Sequence, residues 1–303
     1  MRHPTSLLSL VTLISLAPVA LPAQGTDGSR VGPVPIDTAL ARDTAFGGIA
    51  APAATGTTFG AAPPAAASAG SPPAVPHASY LTELPPTAED SAASTVTRAA
   101  AMHDDGLRVV VSIEDRRVWV VRGSDTLVTA PAAVGMDARL DYADRAWTFR
   151  TPRGMRTVRR KNASPVWIPP DWHYAEVAAE YGLRLEKLSR GAPVTLADGR
   201  RLEVHDGEVE LADPGAGFEP LPADEEIVFD STLYIPPYGT KNRRITGELG
   251  EYQLDLGDGY LLHGTPHVST IGTATTHGCV RLPDDTIEWM YRKVPVGTRV
   301  YIY

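Results

Sequence analysis

The chain contains a single cysteine, Cys279, among its 303 residues. An internal disulfide is therefore excluded, and so is a zinc site built from paired Cys-x-x-Cys motifs. The formal net charge is −8, and the basic residues form only one local patch, Arg156 to Lys161. No glycine-rich loop for a phosphate group is present. We therefore expect no nucleic-acid partner and no nucleotide dependence.

Long hydrophobic runs are also scarce. The apolar stretch over residues 7–16 is shorter than the roughly 20 residues that a membrane span requires. It follows a short basic start and precedes Leu21-Pro22-Ala23, which resembles a cleavage site. The pattern predicts a signal peptide over residues 1–23 and a protein exported to the periplasm or cell wall. Weak membrane association is expected only if this signal stays uncleaved.

Residues 24–105 lack tryptophan and lysine and are rich in Ala, Pro, Gly, Ser and Thr. Such a composition buries too little apolar surface to offset the entropy of ordering the chain. We therefore predict a disordered linker, which serves either to give the following domain reach or as an unselective spacer.

Residues 106–303 hold all five tryptophans and have the size of one domain. Short apolar runs separated by polar turns predict a mainly β domain with a few helices. One helix is expected to begin with Asp171 as its cap and to follow apolar positions as far as Leu188, although Gly182 is placed to divide it. A second is expected from Pro283 through Tyr291. The predicted strands are 107–112, 117–121, 126–134, 251–256, 260–262 and 298–303, with hairpin turns at 197–199 and 206–207.

Histidines and glycines surround the cysteine. A thiol with a pKa of about 8.5 is mostly protonated at neutral pH, and a neighbouring imidazole such as His263 or His277 can take its proton. Gly278 removes a side chain where a substrate carbonyl must approach, and the N–H groups around it are suited to an oxyanion hole. The residue types therefore indicate a cysteine nucleophile for acyl transfer.

Two other interpretations compete with this one. A lone cysteine is often a small buried apolar residue, and Cys279 with His263, His267 and His277 offers four zinc-type donors. Their spacing follows no known zinc motif, so no metal is expected. We expect His267 to lie on a loop without a role. The isolated His173 and His205 are expected to be surface or packing residues.

The segment Thr276-His277-Gly278-Cys279-Val280-Arg281, downstream of His263-Gly264-Thr265, resembles the catalytic signature of the L,D-transpeptidases. These are the YkuD-like bacterial cell-wall enzymes. Further matches to the family are Thr151-Pro152-Arg153-Gly154 and the segment 164–170. The resemblance covers about 107–303 and identifies an insertion within 170–245.

The resemblance implies an L,D-transpeptidase-like β-sandwich that acts on peptidoglycan stem peptides without a metal or organic cofactor. It also implies roles for the signature residues. In these roles, Cys279 is the nucleophile, His263 is the general base, the Gly264 carbonyl orients His263, His277 and Gly278 shape the oxyanion hole, and Thr276 and Arg281 bind substrate or hold the loop.

The implied reaction forms a thioester on Cys279, which an amine of a neighbouring stem peptide resolves. The result is cell-wall cross-linking or remodelling. With water as acceptor the enzyme would be an L,D-carboxypeptidase or endopeptidase, and with a protein amine it would anchor proteins to the wall. A non-enzymatic peptidoglycan-binding module is a further alternative, but it would need neither Cys279 nor His263.

Overall fold

The computed structural model describes residues 80–213, 215 and 217–303. This part of the chain is mainly β, as predicted, and none of its helices is long and apolar enough to cross a membrane. The helices are α1 (Ala88–Met102), α2 (Asp171–Tyr181) and α3 (Asp284–Lys293). The strands are β1 (Leu81–Glu83), β2 (Leu107–Ser112), β3 (Arg117–Arg122), β4 (Asp125–Pro131), β5 (Val134–Gly135), β6 (Ala138–Tyr142), β7 (Arg145–Phe149), β8 (Gly154–Thr157), β9 (Arg160–Ala163), β10 (Val166–Trp167), β11 (Arg184–Lys187), β12 (Val194–Thr195), β13 (Arg201–His205), β14 (Glu208–Asp213), β15 (Gly217–Pro220), β16 (Ile227–Phe229), β17 (Thr232–Ile235), β18 (Ile245–Thr246), β19 (Tyr252–Asp255), β20 (Leu261–His263), β21 (Ala274–Thr276), β22 (Val280–Arg281) and β23 (Arg299–Ile302).

Two sheets pack across the main core of the domain. One has the order β4-β3-β2-β23-β8, and the other has the order β22-β20-β19-β9. Alternate residues of a strand point to the same face, so Val109 and Val111 of β2 present an apolar surface. Leu254 and Leu262 line the same core from the second sheet, and Met290 closes it from α3. The site described below lies on the other face of this second sheet.

The segment 170–245, within which the resemblance implies an insertion, is called the inserted region and carries hydrophobic clusters of its own. Its sheet β12-β13-β14-β15 includes the predicted hairpin, whose two-residue turn joins His205 to Glu208. Leu202 and Leu211 from this sheet pack with Phe229 of β16. Helix α2 packs separately, with Tyr174 among its buried residues.

Three details of the secondary-structure prediction are wrong. Gly182 adopts a left-handed conformation with φ of 64°, so α2 ends there and the residues up to Lys187 form β11 instead of helix. The N-cap of α2 is Pro170, whose backbone is extended, and Asp171 is the first helical residue. The carboxylate of Asp171 forms ion pairs with Arg243, Arg145 and Lys187. The strand predicted over 126–134 is divided into β4 and β5.

The predicted linker is wrong over residues 80–105. Strand β1 pairs with β6, and α1 packs against β8 and β23. A capping box between Thr87 and Asp90 starts the helix. Asp90 also forms ion pairs with Arg150 at 2.8 Å and Arg153 at 3.3 Å. These local and ionic contacts order a segment whose composition is poor in large apolar residues. The predicted signal peptide and residues 24–79 lie outside the described residues.

Candidate active site

The pairing of β20 with β22 brings the two central residues of the signature to one cavity. The strands are parallel, with Leu262 opposite Val280 and His263 opposite Arg281. Leu262 and Val280 point into the core, so the residues flanking them face the other side of the sheet. His263, Arg281 and Cys279 line a cavity of about 1560 Å³ on that side.

His263 is buried, and its Nδ1 lies 2.5 Å from the carbonyl oxygen of Gly264. A carbonyl only accepts, so Nδ1 donates and Nε2 of the neutral ring keeps its lone pair. Burial lowers the pKa of His263 to about 4, and the positive charge of Arg281 acts in the same direction. The imidazole is therefore neutral at neutral pH and able to act as a base.

The thiol of Cys279 lies 3.7 Å from the carbonyl oxygen of Gly259. Burial raises the pKa of Cys279, while the Leu261 backbone and the charge of Arg281 oppose that rise. The directions of these two shifts favour a neutral thiol and a neutral imidazole at rest. Attack by the sulfur would then require a base to accept the thiol proton.

The loop before the cysteine is held by its own hydrogen bonds. The hydroxyl of buried Thr276 donates to the carbonyl of Cys279 at 2.6 Å and accepts from the Gly278 N–H at 3.2 Å. This hydroxyl is thus engaged inside the loop, and Thr276 also lines the cavity. Gly278 has φ of 131°, and a Cβ there would lie 2.9 Å from the carbonyl oxygen of Arg150. Glycine is required at this position.

His277 is fixed by three residues from two other elements, α2 and β7. Its Nε2 lies 2.7 Å from a carboxylate oxygen of Glu176 on α2. Its ring stacks on Trp172 with centroids 4.0 Å apart and meets the edge of Phe149 at 4.6 Å. Sequence reasoning missed Glu176, since no local motif links a helix of the inserted region to a loop about a hundred residues later.

Arg281 and His267 share a second carboxylate that the sequence analysis did not single out. Glu248 lies 3.7 Å from the guanidinium of Arg281 and 3.4 Å from Nε2 of His267. The backbone of Arg281 also exchanges two hydrogen bonds with Ala133, at 2.9 and 3.0 Å. Arg281 is thus tied to Glu248 and Ala133, and it also lines the cavity. His267, for which no role was expected, lines the cavity.

Of the two isolated histidines, His173 lines the same cavity and His205 does not. His173 is buried and packs edge-on against Trp167 with centroids 5.1 Å apart, whereas His205 is exposed on the inserted sheet. Across residues 80–303, apart from 214 and 216, no three His, Cys, Asp or Glu side chains are grouped as metal ligands. His263, His267 and His277 each bond to a different partner.

Comparison with known proteins gives concordant matches. Probable L,D-transpeptidase YbiS of Escherichia coli strain K12 is 29% identical over 192 residues, which cover 63% of this chain and 42% of that protein. Probable L,D-transpeptidase ErfK/SrfK of Salmonella typhimurium is 26% identical over 196 residues, which cover 64% of this chain and 43% of that protein. The chain thus spans less than half the length of these curated relatives.

Solved structures also match, with low scores. The L,D-transpeptidase from Xylanimonas cellulosilytica has a TM-score of 0.34 at 15% identity, covering 66% of this chain and 61% of that one. An L,D-transpeptidase from Mycobacterium smegmatis has a TM-score of 0.33 at 17% identity, covering 65% of this chain and 58% of that one.

The family model YkuD, described as the L,D-transpeptidase catalytic domain, matches residues 106–302. That range contains the whole signature and both sheets of the main core. With well over half of its length matched, the chain belongs to the L,D-transpeptidase catalytic domain family.

Proposed function

We propose that this protein is a cysteine-dependent L,D-transpeptidase that acts on peptidoglycan stem peptides through a thioester, in cell-wall cross-linking or remodelling. The observation that carries the proposal is the β20–β22 register, which places Cys279 and His263 on the same face of one sheet, where both line one cavity. The hydrogen bond from His263 to Gly264 supports it, because it leaves Nε2 as the base.

In the first half-reaction, Nε2 of His263 takes the thiol proton while Sγ of Cys279 bonds to a carbonyl carbon of a tetrapeptide stem. The tetrahedral intermediate then loses its carbon–nitrogen bond to the terminal D-alanine. His263 returns the proton to the departing amine, and a thioester remains. Covalent catalysis of this kind divides one difficult acyl exchange into two easier steps.

In the second half-reaction, an amine of a neighbouring stem peptide, on its diaminopimelate residue, attacks the thioester carbonyl. His263 accepts the amine proton and returns it to the sulfur as the carbon–sulfur bond breaks. The product is a cross-linked peptide and the free thiol. The steps use only side chains of this chain and need no metal or organic cofactor.

The decisive measurement is mass spectrometry of purified muropeptides incubated with the protein. We expect cross-linked dimers and released D-alanine from the wild type, and neither from Cys279→Ala, because no other thiol exists in the chain. Cys279→Ala should unfold at the same temperature as the wild type. Products unchanged in Cys279→Ala would refute the proposal.

The same experiment separates the alternatives. Release of D-alanine without dimers would identify a carboxypeptidase, because water would then be the acceptor. Binding of muropeptides with no turnover in the wild type would favour the non-enzymatic module. Attachment to an added protein amine would favour an anchoring enzyme.

We further propose that the protein is exported and acts in the periplasm or cell wall. The sequence pattern of residues 1–23 supports this location. N-terminal sequencing of protein recovered from the extracytoplasmic fraction should begin near Gln24. Recovery of the intact chain in the cytoplasm alone would contradict export.

A further inference from the structure

Helix α2 of the inserted region reaches the loop that carries the nucleophile. Its Glu176 contacts Nε2 of His277 at 2.7 Å, and its Trp172 stacks on the same ring at 4.0 Å. Phe149 closes a third side at 4.6 Å. The ring of His277 is therefore confined by one polar contact and two aromatic ones.

The chemistry of this contact fixes a tautomer. An ionised carboxylate only accepts hydrogen bonds. Nε2 of His277 therefore carries the hydrogen atom and donates the hydrogen bond to Glu176. The neutral ring of His263 has the opposite arrangement, with its proton on Nδ1. The two histidines of the signature are thus held in complementary states. His263 presents a lone pair for proton transfer, while His277 is anchored through its own N–H.

The anchored ring bears directly on the geometry around Cys279. His277 and Cys279 are separated only by Gly278, whose backbone conformation no other residue adopts readily. Thr276 ties the loop to itself on one side of His277. Thr276 is also held from outside the loop by the Met136 N–H, which donates to its carbonyl at 2.9 Å. Glu176 supplies the polar attachment of the His277 side chain.

Helix α2 does not depend on this contact for its own position. Asp171 at its first turn is bonded to Arg243 at 2.7 Å and Arg145 at 3.0 Å. Tyr174 and Ala178 are buried against the strands below. Loss of the Glu176 carboxylate should therefore release His277 without undocking the helix.

We propose that Glu176 is a positioning residue for the acylation step: by accepting the Nε2–H of His277, it holds the 276–279 loop in the geometry that stabilises the tetrahedral oxyanion. This inference rests on the proposed function of Cys279. It assigns a purpose in catalysis to the inserted helix, which supplies the anchor from outside the signature.

Two reactions of the same thiol test it. Acylation by a carbapenem passes through a tetrahedral oxyanion, whereas alkylation by iodoacetamide is a displacement that forms none. Both rates are followed by intact mass for the wild type, Glu176→Ala, Glu176→Gln and Glu186→Gln. Glu186 is an exposed glutamate on β11 that serves as the control.

Glu176→Ala should acylate about tenfold or more slowly, since misplaced oxyanion donors commonly cost that much. Its alkylation rate and unfolding temperature should match those of the wild type. Glu176→Gln should recover most of the acylation rate, because its side-chain carbonyl accepts the same hydrogen bond. Glu186→Gln should equal the wild type in both reactions.

Several results would overturn the inference. Acylation of Glu176→Ala within twofold of the wild type would show that the contact does not position the loop. Equal losses of acylation and alkylation would show a general structural role, and so would a large fall in unfolding temperature. A Glu176→Gln variant as slow as Glu176→Ala would rule out the hydrogen bond as the cause. Failure of the proposed function is distinct, because the wild type itself would then not acylate.

Discussion

At the scale of single residues, the protonation states of His263 and Cys279 set the pH dependence. The pKa of His263 is lowered from 6.5 to about 4, chiefly by burial, and that of Cys279 is raised by burial. The base is then available down to about pH 4. We expect the acid limb of the acylation rate to fall near pH 4 instead of near pH 6.5, measured with a carbapenem by stopped-flow or quenched mass spectrometry.

His263→Gln is the control for this assignment. It should abolish the acid limb and leave a slow rate that rises with pH, because only the thiolate present at equilibrium can then react. The same shift also affects stability. The unfolded chain binds the His263 proton more tightly than the folded one, so wild-type stability should decline as pH falls from 6.5 towards about 4. An acid limb near pH 6.5 would contradict the buried, neutral base.

Gly278 is the residue at which the backbone itself is constrained. Its φ of 131° and the 2.9 Å approach of a Cβ to the Arg150 carbonyl both penalise a side chain. Gly278→Ala should lower the free energy of unfolding by about 1–3 kcal/mol and slow acylation. Gly123→Ala, in the open β3–β4 turn at φ of 56°, is the matched control and should leave acylation unchanged. Urea unfolding and carbapenem acylation measure the two effects, and equal acylation in both variants would refute a loop-specific role.

At the scale of elements, the strands that line the main core could be predicted from the sequence, whereas helix α1 could not. Short apolar runs separated by turns identify β2, β3, β19, β20 and β23, because strands that line a core carry a regular apolar pattern. Helix α1 was missed because alanine, serine and threonine dominate it and only two of its residues, Thr97 and Ala101, are buried. Its one usable signal was the Thr87–Asp90 capping box. The contact of Glu176 with His277 had no signal, since tertiary packing alone creates it.

Asp90 is the residue on which the docking of α1 depends. Its carboxylate accepts from the backbone and hydroxyl of Thr87 at 2.9 and 2.8 Å, and it pairs with Arg150 and Arg153. Hydrogen bonds from Thr87 lower the pKa of Asp90 below its usual value, and both arginines act in the same direction. Asp90→Ala should lower the unfolding free energy by about 1–3 kcal/mol, because it removes both the helix cap and the half-buried ion pairs. Glu89→Ala, exposed on the same turn, should cost much less in urea unfolding.

The sign of the pH effect provides a second check on Asp90. Because its pKa is depressed in the folded state, the stability it contributes is present above the usual carboxyl pKa and is lost as pH falls below it. The difference in unfolding free energy between the wild type and Asp90→Ala should therefore become smaller in acid. A difference in unfolding free energy that does not change with pH would contradict a stabilising role for the ion pairs of Asp90.

At the scale of the whole molecule, the domain extends beyond the family match. The match begins at residue 106, whereas the described fold begins at residue 80. Ala101 of α1 packs with Val110 and Tyr301 of the central sheet. Asp104 binds Arg299 at 2.6 Å and the hydroxyl of Tyr301 at 2.9 Å. The sequence composition up to residue 105 concealed this extension, because its stabilising contacts are ionic or involve small side chains.

The extension also reaches the active-site loop through one residue. The guanidinium of Arg150 bonds to the carbonyls of Leu84 and Pro85 at 3.2 and 2.7 Å, while its own backbone carbonyl abuts Gly278. A chain that starts at residue 106 loses these contacts together with those of Asp90 and Asp104. A chain that starts at residue 80 keeps them.

We therefore expect the two truncations to differ. The 80–303 chain should unfold at the temperature of the full-length protein and acylate at the same rate, whereas the 106–303 chain should be less stable and acylate more slowly. Thermal unfolding and carbapenem acylation of both truncated chains provide the measurement. Limited proteolysis of the full-length protein should leave α1 attached to the core, because cleavage requires local opening of contacts that tie it to β8 and β23. A fully stable and active 106–303 chain would show that residues 80–105 are dispensable, and that the domain begins where the family match does.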